Sequence, residues 1–424
     1  MKVTIQPGGC RGEVQIPPSK SLAHRAIICA ALSQGNSRID NICYSKDIEA
    51  TISTLKCLGA NIKCYEDYLE IHGGIHLDFD STNELHAHCN ESGSTLRFMI
   101  PIFALRQGKT YFTGEGRLLQ RPQKVYQEIF TKQQLYYQHQ EDKISIAGCL
   151  QPGTFEIPGN ISSQFISGLL FALPLLNGAS VISIQPPFES QSYLHLTIDM
   201  LSAFGIRIEK KDTFTLHIPG NQHYQSAHYR VEGDFSQAAF WGVLSAINAP
   251  ILCRDLNLNS HQGDKAILDI LANCGAEIKQ TSNGFWIHGK HLTGRDIDLA
   301  DCPDLGPILM VLALFCQGPT RIYHAKRLRY KESDRIAAME EELRKLGADI
   351  SSSQDEIFIQ PQPHYHCKEA IETHQDHRIA MAMAVAATKC QNSVTINHGE
   401  VVAKSYPNFW EHLKNLGIQV SCND

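Results

Sequence analysis

Five times the sequence repeats one short phrase, a helix-like run that ends on Gly and is followed by a β-like pair. The copies are Leu55–Ile62, Leu201–Ile208, Leu271–Ile278, Leu343–Ile350 and Leu413–Val420, with their glycines at 59, 205, 275, 347 and 417. A worn sixth copy, Phe130–Tyr137, carries Gln134 at that place. Taken in order, positions 59, 134, 205, 275, 347 and 417 are separated by 75, 71, 70, 72 and 70 residues. Gly is the residue that ends a helix in the left-handed conformation at least cost. A phrase recurring at a fixed period means one supersecondary unit copied along the chain. Six units divide into two groups of three, which suits a chain of 424 residues, longer than one hydrophobic core usually serves.

A second series runs in phase with the first. Its members are apolar helix-like runs from Ser21 to Gly35, Ser94 to Gly108, Ser163 to Gly178, Ser236 to Asn248, Asp304 to Gly318 and Asp376 to Asn392. Ser and Asp at these starts are good N-caps, because their oxygens accept from amides that have no partner inside the helix. Apolar nearly all round, the runs are expected to be buried. The glycine-terminated helices differ. Asp334 to Leu346 alternates charge and puts Ile336, Met339 and Leu343 on one stripe, as an outer helix does. Short β-like runs such as Ser180–Ile184 and Thr320–Tyr323 lie between the helices, so the class is mixed α/β.

Composition excludes several functions. A net charge of −6 argues against nucleic acid or an anionic membrane as the main partner, and any anion site must concentrate its cations locally. The longest apolar runs fall short of the roughly 20 residues of a membrane helix, and the start has no apolar signal region. The fourteen cysteines include no Cys-x-x-Cys and many lie inside apolar runs, which reads as core thiols in a reducing cytoplasm. Gly108-Lys109-Thr110 lacks the first glycine of a P-loop, since Phe103 stands there. His86-x-His88 and His364-x-His366 have no acid or thiol in ligand spacing, so no metal is expected.

Charged groups gather at the helix starts. They are Lys20 with Arg25, Gly93 with Arg97, Ser162-Ser163-Gln164, Asp304, Lys331-Glu332-Ser333-Asp334-Arg335, Asp376-His377-Arg378 and Lys404-Ser405. A helix N-terminus attracts anions, and Lys or Arg placed there makes a phosphate or carboxylate site. Asp304 and Glu332 stand among these bases. Carboxylates in such a place are repelled by the ligand unless they handle protons or neutral hydroxyls. The pattern points to proton transfer beside a bound small polyanion.

In this order the clusters resemble the 5-enolpyruvylshikimate-3-phosphate (EPSP) synthase family over essentially the whole chain. The marks are Ser19-Lys20-Ser21 with Arg25, Gly93-Ser94-Thr95-Leu96-Arg97, Gly114 to Arg117 through Arg121-Pro122, and Ser162 to Phe165. They continue with Glu232-Gly233-Asp234, Pro303-Asp304, Lys331 to Arg335, Asp376-His377-Arg378 and Ala403-Lys404. The resemblance implies a two-domain inverse α/β barrel of six βαβαββ units, three per domain, with the substrates between the domains. One domain would be residues 1–18 with 233–424 and the other 19–232. It implies that Lys20, Ser21, Arg25, Ser162, Ser163, Gln164, Ser190, Tyr193, Asp304 and Lys331 hold shikimate 3-phosphate. Lys20, Gly93, Arg121, Gln164, Arg335, Arg378 and Lys404 would hold phosphoenolpyruvate. Asp304 and Glu332, with Lys20, would serve catalysis, and no cofactor is implied. A cytoplasmic monomer inhibited by glyphosate is expected. Glu91 and Ser94 depart from residues frequent in the family, which bears on how strongly glyphosate binds, and Arg327 stands where some members carry Asn beside the shikimate. The related UDP-N-acetylglucosamine enolpyruvyl transferases resemble the chain less well, with Asn in place of Ser21 and a loop Cys absent here. A non-catalytic binder of phosphorylated ligands would not need Asp304 and Glu332.

Overall fold

The computed structural model describes residues 1–74 and 82–423. The chain forms two compact units, Met1–Ser19 with Glu232–Asp424, and Lys20–Val231. Each has its own apolar core. In the first unit the core is built on helices Phe235–Ile247, Gly306–Leu314 and His377–Ala387, every residue of which is buried. In the second it is built on Lys20–Leu32, Gly93–Phe103 and Ser163–Ala172. These are the expected apolar runs. Burial of each large aliphatic side chain contributes about 1.5–3 kcal/mol, which is why helices apolar all round stand inside.

The expected order β-α-β-α-β-β is the order observed. In one copy, strands Thr154–Pro158 and Ser180–Gln185 run parallel across helix Ser163–Ala172. Outer helix Gln191–Ala203 then leads to Glu209–Lys210 and Thr215–Ile218, which close the sheet antiparallel. Among the described residues the same strand order recurs in five four-stranded sheets. Two sheets borrow a strand from elsewhere in the chain. Gly12–Gln15 pairs parallel with Ile251–Arg254, and His228–Arg230 pairs parallel with Asn36–Asp40. A three-stranded sheet completes the set, with Lys2–Ile5 between Val394–Ile396 and Val420–Asn423. Among the described residues no helix is long and apolar enough to cross a membrane.

All six key positions carry left-handed backbone. Gly59, Gly205, Gly275, Gly347 and Gly417 have φ between 79° and 101°, and Gln134 has φ 57°. The bonding is also shared. Ala60 N donates to Leu55 O at 2.9 Å and Ala348 N to Leu343 O at 3.1 Å, while in the worn copy Leu135 N donates to Phe130 O at 2.8 Å. These are the bonds by which a left-handed residue closes a helix end.

The helix starts need correction. Ser92, Ser162 and Asp234 are the N-caps, accepting from Thr95, Gln164 and Ser236 amides, where Ser94, Ser163 and Ser236 were expected. Ser21 is already inside its helix, and Asp304 lies in a short 3-10 turn, Pro303–Leu305, ahead of helix Gly306–Leu314. Asp376 caps as expected, with Arg378 N at 2.9 Å. The consequence is chemical: the hydroxyls of Ser94 and Ser163 are released from capping. Lys331 to Arg335 heads an outer helix, Arg335–Lys345, and Lys404 ends a 3-10 segment, Gly399–Lys404, so these two clusters do not sit at inner helix starts.

Candidate active site

In the unit Lys20–Val231 the inner helices present cations at their heads. Lys20 opens its helix and its Nζ lies 2.6 Å from Asp47 Oδ2. One turn on, Arg25 is buried, 2% exposed, over the Phe98 ring. Its guanidinium donates to Thr197 Oγ1 at 2.9 Å, Ser21 O at 2.7 Å and Tyr193 O at 3.3 Å. These partners are hydroxyls and carbonyls, with no carboxylate among them. Burial pulls its pKa down to about 10, so it remains a cation at neutral pH. A buried positive charge balanced only by dipoles suits an incoming anion. Ser190, itself in left-handed backbone, heads the outer helix that brings Tyr193 and Thr197 to Arg25.

Gln164 is fixed from two sides. Its Oε1 accepts from Arg97 Nη1 at 2.8 Å and its Nε2 donates to Ser94 Oγ at 2.9 Å. Arg97 also reaches Ser162 Oγ at 3.5 Å and Pro122 O at 3.0 Å, and lies over the Phe165 ring. A Cβ added at Gly93 would stand 2.9 Å from Arg121 Nη1 and 3.6 Å from Gln164 Oε1. Gly93, Arg121, Gln164, Ser162 and Ser94 thus meet at the heads of two packed helices, and the missing side chain at 93 gives the Arg121 guanidinium its place. Two features were missed in the sequence. Arg97 was noticed as a charge but not as the clamp on Gln164. His24 is buried with Nδ1 2.7 Å from Thr51 Oγ1, and Thr51 continues to Thr95 at 2.7 Å. Burial, then Lys20 and Arg25, hold His24 well below its usual pKa, so it is neutral.

The other unit gathers acids and bases around Asp304. Its Oδ1 lies 3.0 Å from both Lys331 Nζ and Arg335 Nη1, and its Oδ2 lies 3.3 Å from Arg378 Nη2. Arg335, 1% exposed, also meets Glu332 at 2.7 Å and Asp376 at 2.8 Å. Burial would raise the Asp304 pKa, but Arg378, Lys331 and Arg335 outweigh it and hold the carboxyl well below the usual range. Burial lowers Lys331 and Asp304 partly offsets that. Lys404 Nζ donates to Gln375 O at 2.6 Å, next to Asp376. The structure therefore brings Asp304, Lys331, Glu332, Arg335 and Arg378 together, with Lys404 tied in through the backbone.

Asp264 was not foreseen, because an acid in a short turn, Gly263–Lys265, ahead of outer helix Ala266–Asn273 reads as a surface residue. It is buried, accepts from Ser236 Oγ, and burial together with the Asp304 charge pushes its pKa up to about 7. Arg327, which departs from the family pattern, donates to Ala300 O at 2.5 Å. Glu91 reaches over the loop at Gly116, where a Cβ would collide with its carboxylate. Glu341, Glu342 and His374 bring ligand-type atoms within 4.8 Å of one another, and Lys345 already holds both oxygens of Glu342, at 3.0 and 2.8 Å.

The sequence matches the EPSP synthase (3-phosphoshikimate 1-carboxyvinyltransferase) family over residues 5–413. A 3-phosphoshikimate 1-carboxyvinyltransferase of Clostridium perfringens is 47% identical over 420 residues, 98% of each chain. One of Clostridium acetobutylicum is 48% identical over 424 residues, 99% of this chain and 98% of the relative. The solved EPSP synthase of Acinetobacter baumannii superposes with a TM-score of 0.78 at 25% identity, covering 99% of this chain and 100% of that one. The enolpyruvyl transferase NikO of Streptomyces tendae shares the fold, with a TM-score of 0.81 at 15% identity over 99% of this chain and 98% of that one. By whole-length identity, shared fold and the clusters just described, the chain belongs to the EPSP synthase family, the 3-phosphoshikimate 1-carboxyvinyltransferases.

Proposed function

We propose that the two clusters, one in each unit, act on a single pair of substrates. The chain transfers the enolpyruvyl group of phosphoenolpyruvate to the 5-hydroxyl of shikimate 3-phosphate and releases phosphate, a step of aromatic amino acid biosynthesis. The observation that carries the division of labour is the contrast between Arg25, a buried cation among dipoles, and Asp304, a carboxylate among three cations. Arg25, with Lys20, Ser21, Ser162, Ser163, Gln164, Ser190 and Tyr193, takes shikimate 3-phosphate, joined by Asp304 and Lys331. Arg121, Arg335, Arg378 and Lys404, with Lys20, Gly93 and Gln164, take phosphoenolpyruvate.

Asp304 held far down in pKa is a weak base. Arrival of the phosphate and carboxylate of phosphoenolpyruvate shares Arg335 and Arg378 with new anions and so returns basicity to Asp304. Asp304 then accepts the proton of the 5-hydroxyl as its oxygen adds to C2, and Glu332, with Lys20 or Lys404 nearby, delivers a proton to C3. The tetrahedral intermediate then returns a proton from its C3 methyl group to Glu332 as its C2–O bond to phosphate breaks, so the enolpyruvyl double bond re-forms and phosphate leaves with the proton held by Asp304. The fixed cations stabilise the charge that develops, the usual large contribution to such a rate. Glyphosate competes with phosphoenolpyruvate, and Glu91 and Ser94 set its affinity. We further assign the protein to the cytoplasm and to a monomer.

The test is phosphate release from phosphoenolpyruvate with shikimate 3-phosphate, and separately with UDP-N-acetylglucosamine. Release with shikimate 3-phosphate alone is expected. Release only with the sugar nucleotide would overturn the substrate, and binding without release would overturn the catalytic assignment.

A further inference from the structure

The loop ahead of the last inner helix holds two consecutive non-glycine residues in left-handed backbone, His374 at φ 49° and Gln375 at φ 56°. That conformation is costly for a side-chain-bearing residue and persists where its surroundings enforce it. Glu342 supplies the enforcement. It is fully buried on outer helix Arg335–Lys345, and its carboxylate accepts from His374 Nε2 at 2.7 Å and the Glu372 amide at 2.9 Å. Lys345 Nζ lies 2.8 Å from the same carboxylate. Just beyond the turn, the Gln375 carbonyl accepts from Lys404 Nζ at 2.6 Å, and Asp376 accepts from Arg335 Nε at 2.8 Å and the Arg378 amide at 2.9 Å.

We propose that His374 is a positioning residue for phosphoenolpyruvate: its hydrogen bond to Glu342 holds the left-handed turn whose Gln375 carbonyl aims Lys404 and whose Asp376 carboxylate orients Arg335 and Arg378. The inference rests on the assignment of those three cations to phosphoenolpyruvate. His374 itself touches no substrate in this scheme; it acts through the turn. The charged groups that face it are Glu342, Glu341 and Lys345, all on the one helix. The hydrogen bond to Glu342 raises the imidazole above its usual pKa, and burial works against it. The charge-assisted form of the bond is therefore complete at low pH and weakens as pH rises through the raised pKa.

The experiment compares the full-length protein with His374→Asn and His374→Gln. Asn accepts left-handed backbone readily and is too short to reach Glu342, whereas Gln carries an amide that reaches further. The expected result for His374→Asn is a KM for phosphoenolpyruvate raised about tenfold, the scale of one charged hydrogen bond, with the KM for shikimate 3-phosphate within about twofold of the original. His374→Gln recovers most of the loss, and the rise of the phosphoenolpyruvate KM with pH expected of the unsubstituted protein flattens in both variants. Hydrogen exchange at 371–378 and 399–404 reports on the turn independently of turnover, and both segments are expected to exchange faster in His374→Asn. Unchanged exchange, or KM values that rise equally for both substrates, would overturn the positioning role. Failure of the unsubstituted protein to release phosphate would instead overturn the functional reading, while the exchange result would still decide the turn.

Discussion

Asp304 illustrates how one residue is pulled two ways: the cations that keep it ionised also blunt it as a base. Asp304→Ala should reduce kcat by about 10²–10⁴ while leaving the dissociation constants of both substrates largely intact, as separate turnover and binding titrations would reveal; full activity would remove it from catalysis. Arg25 makes the opposite case. Its folded pKa, about 10 against 12.5, means that at pH 7, below both values, the whole cost of burying the charge is present, on the order of 3 kcal/mol. Arg25→Met should weaken shikimate 3-phosphate at least about 100-fold, two charged contacts' worth, yet leave the melting temperature of the unliganded protein unchanged or higher. Asp264 adds a pH dependence. Its folded pKa of about 7 exceeds the unfolded 3.8, so the folded state binds the extra proton and stability falls as pH rises between those values. Asp264→Asn should therefore raise the melting temperature at pH 8 and hardly change it at pH 4; equal shifts at both would refute the titration. Lys20, Arg25, Asp304 and Arg335 were legible as candidates because charged clusters recur at equivalent places in the repeat, where any one charge alone would read as a surface group. Arg97, His24 and Asp264 were not, since what they do depends on partners dozens of residues away in sequence.

The helix ends show the same division between local and distant causes. The terminating positions could be read directly, since a left-handed residue is a local requirement and glycine meets it at five of six places. The starts were displaced by one or two residues, because a run of Ser and Thr offers several caps and packing chooses among them, as with Ser92 over Ser94. The worn copy offers a direct test. Gln134 carries φ 57° where its counterparts have Gly, so Gln134→Gly should relieve left-handed strain and stabilise the protein by about 1 kcal/mol. Thermal denaturation would register this as a higher midpoint, with no change in kinetic constants; a lower midpoint would mean that the Gln134 side chain does something the backbone does not require.

At the scale of the whole molecule, the six-fold period foretold a repeated unit of inner helix, outer helix and β segments, and the family resemblance implied its βαβαββ order, but the strand exchanges needed the structure, because four-residue strands such as Gly12–Gln15 carry too little pattern to name a partner more than 200 residues away. Residues 20–231 nevertheless hold a complete core and close their own sheets. That segment, produced alone, should unfold cooperatively and bind shikimate 3-phosphate more weakly than the full chain, with no measurable affinity for phosphoenolpyruvate, since Arg335, Arg378 and Lys404 are absent from it. Calorimetry on the fragment would check both statements, and a non-cooperative melt would show that its core needs the remaining residues. The sheet that joins Lys2–Ile5 to Val420–Asn423 has a further consequence. Lys2 pairs with Asn423, so two strands more than 400 residues apart in number hold one another, and loosening either should expose the amides of the other to hydrogen exchange.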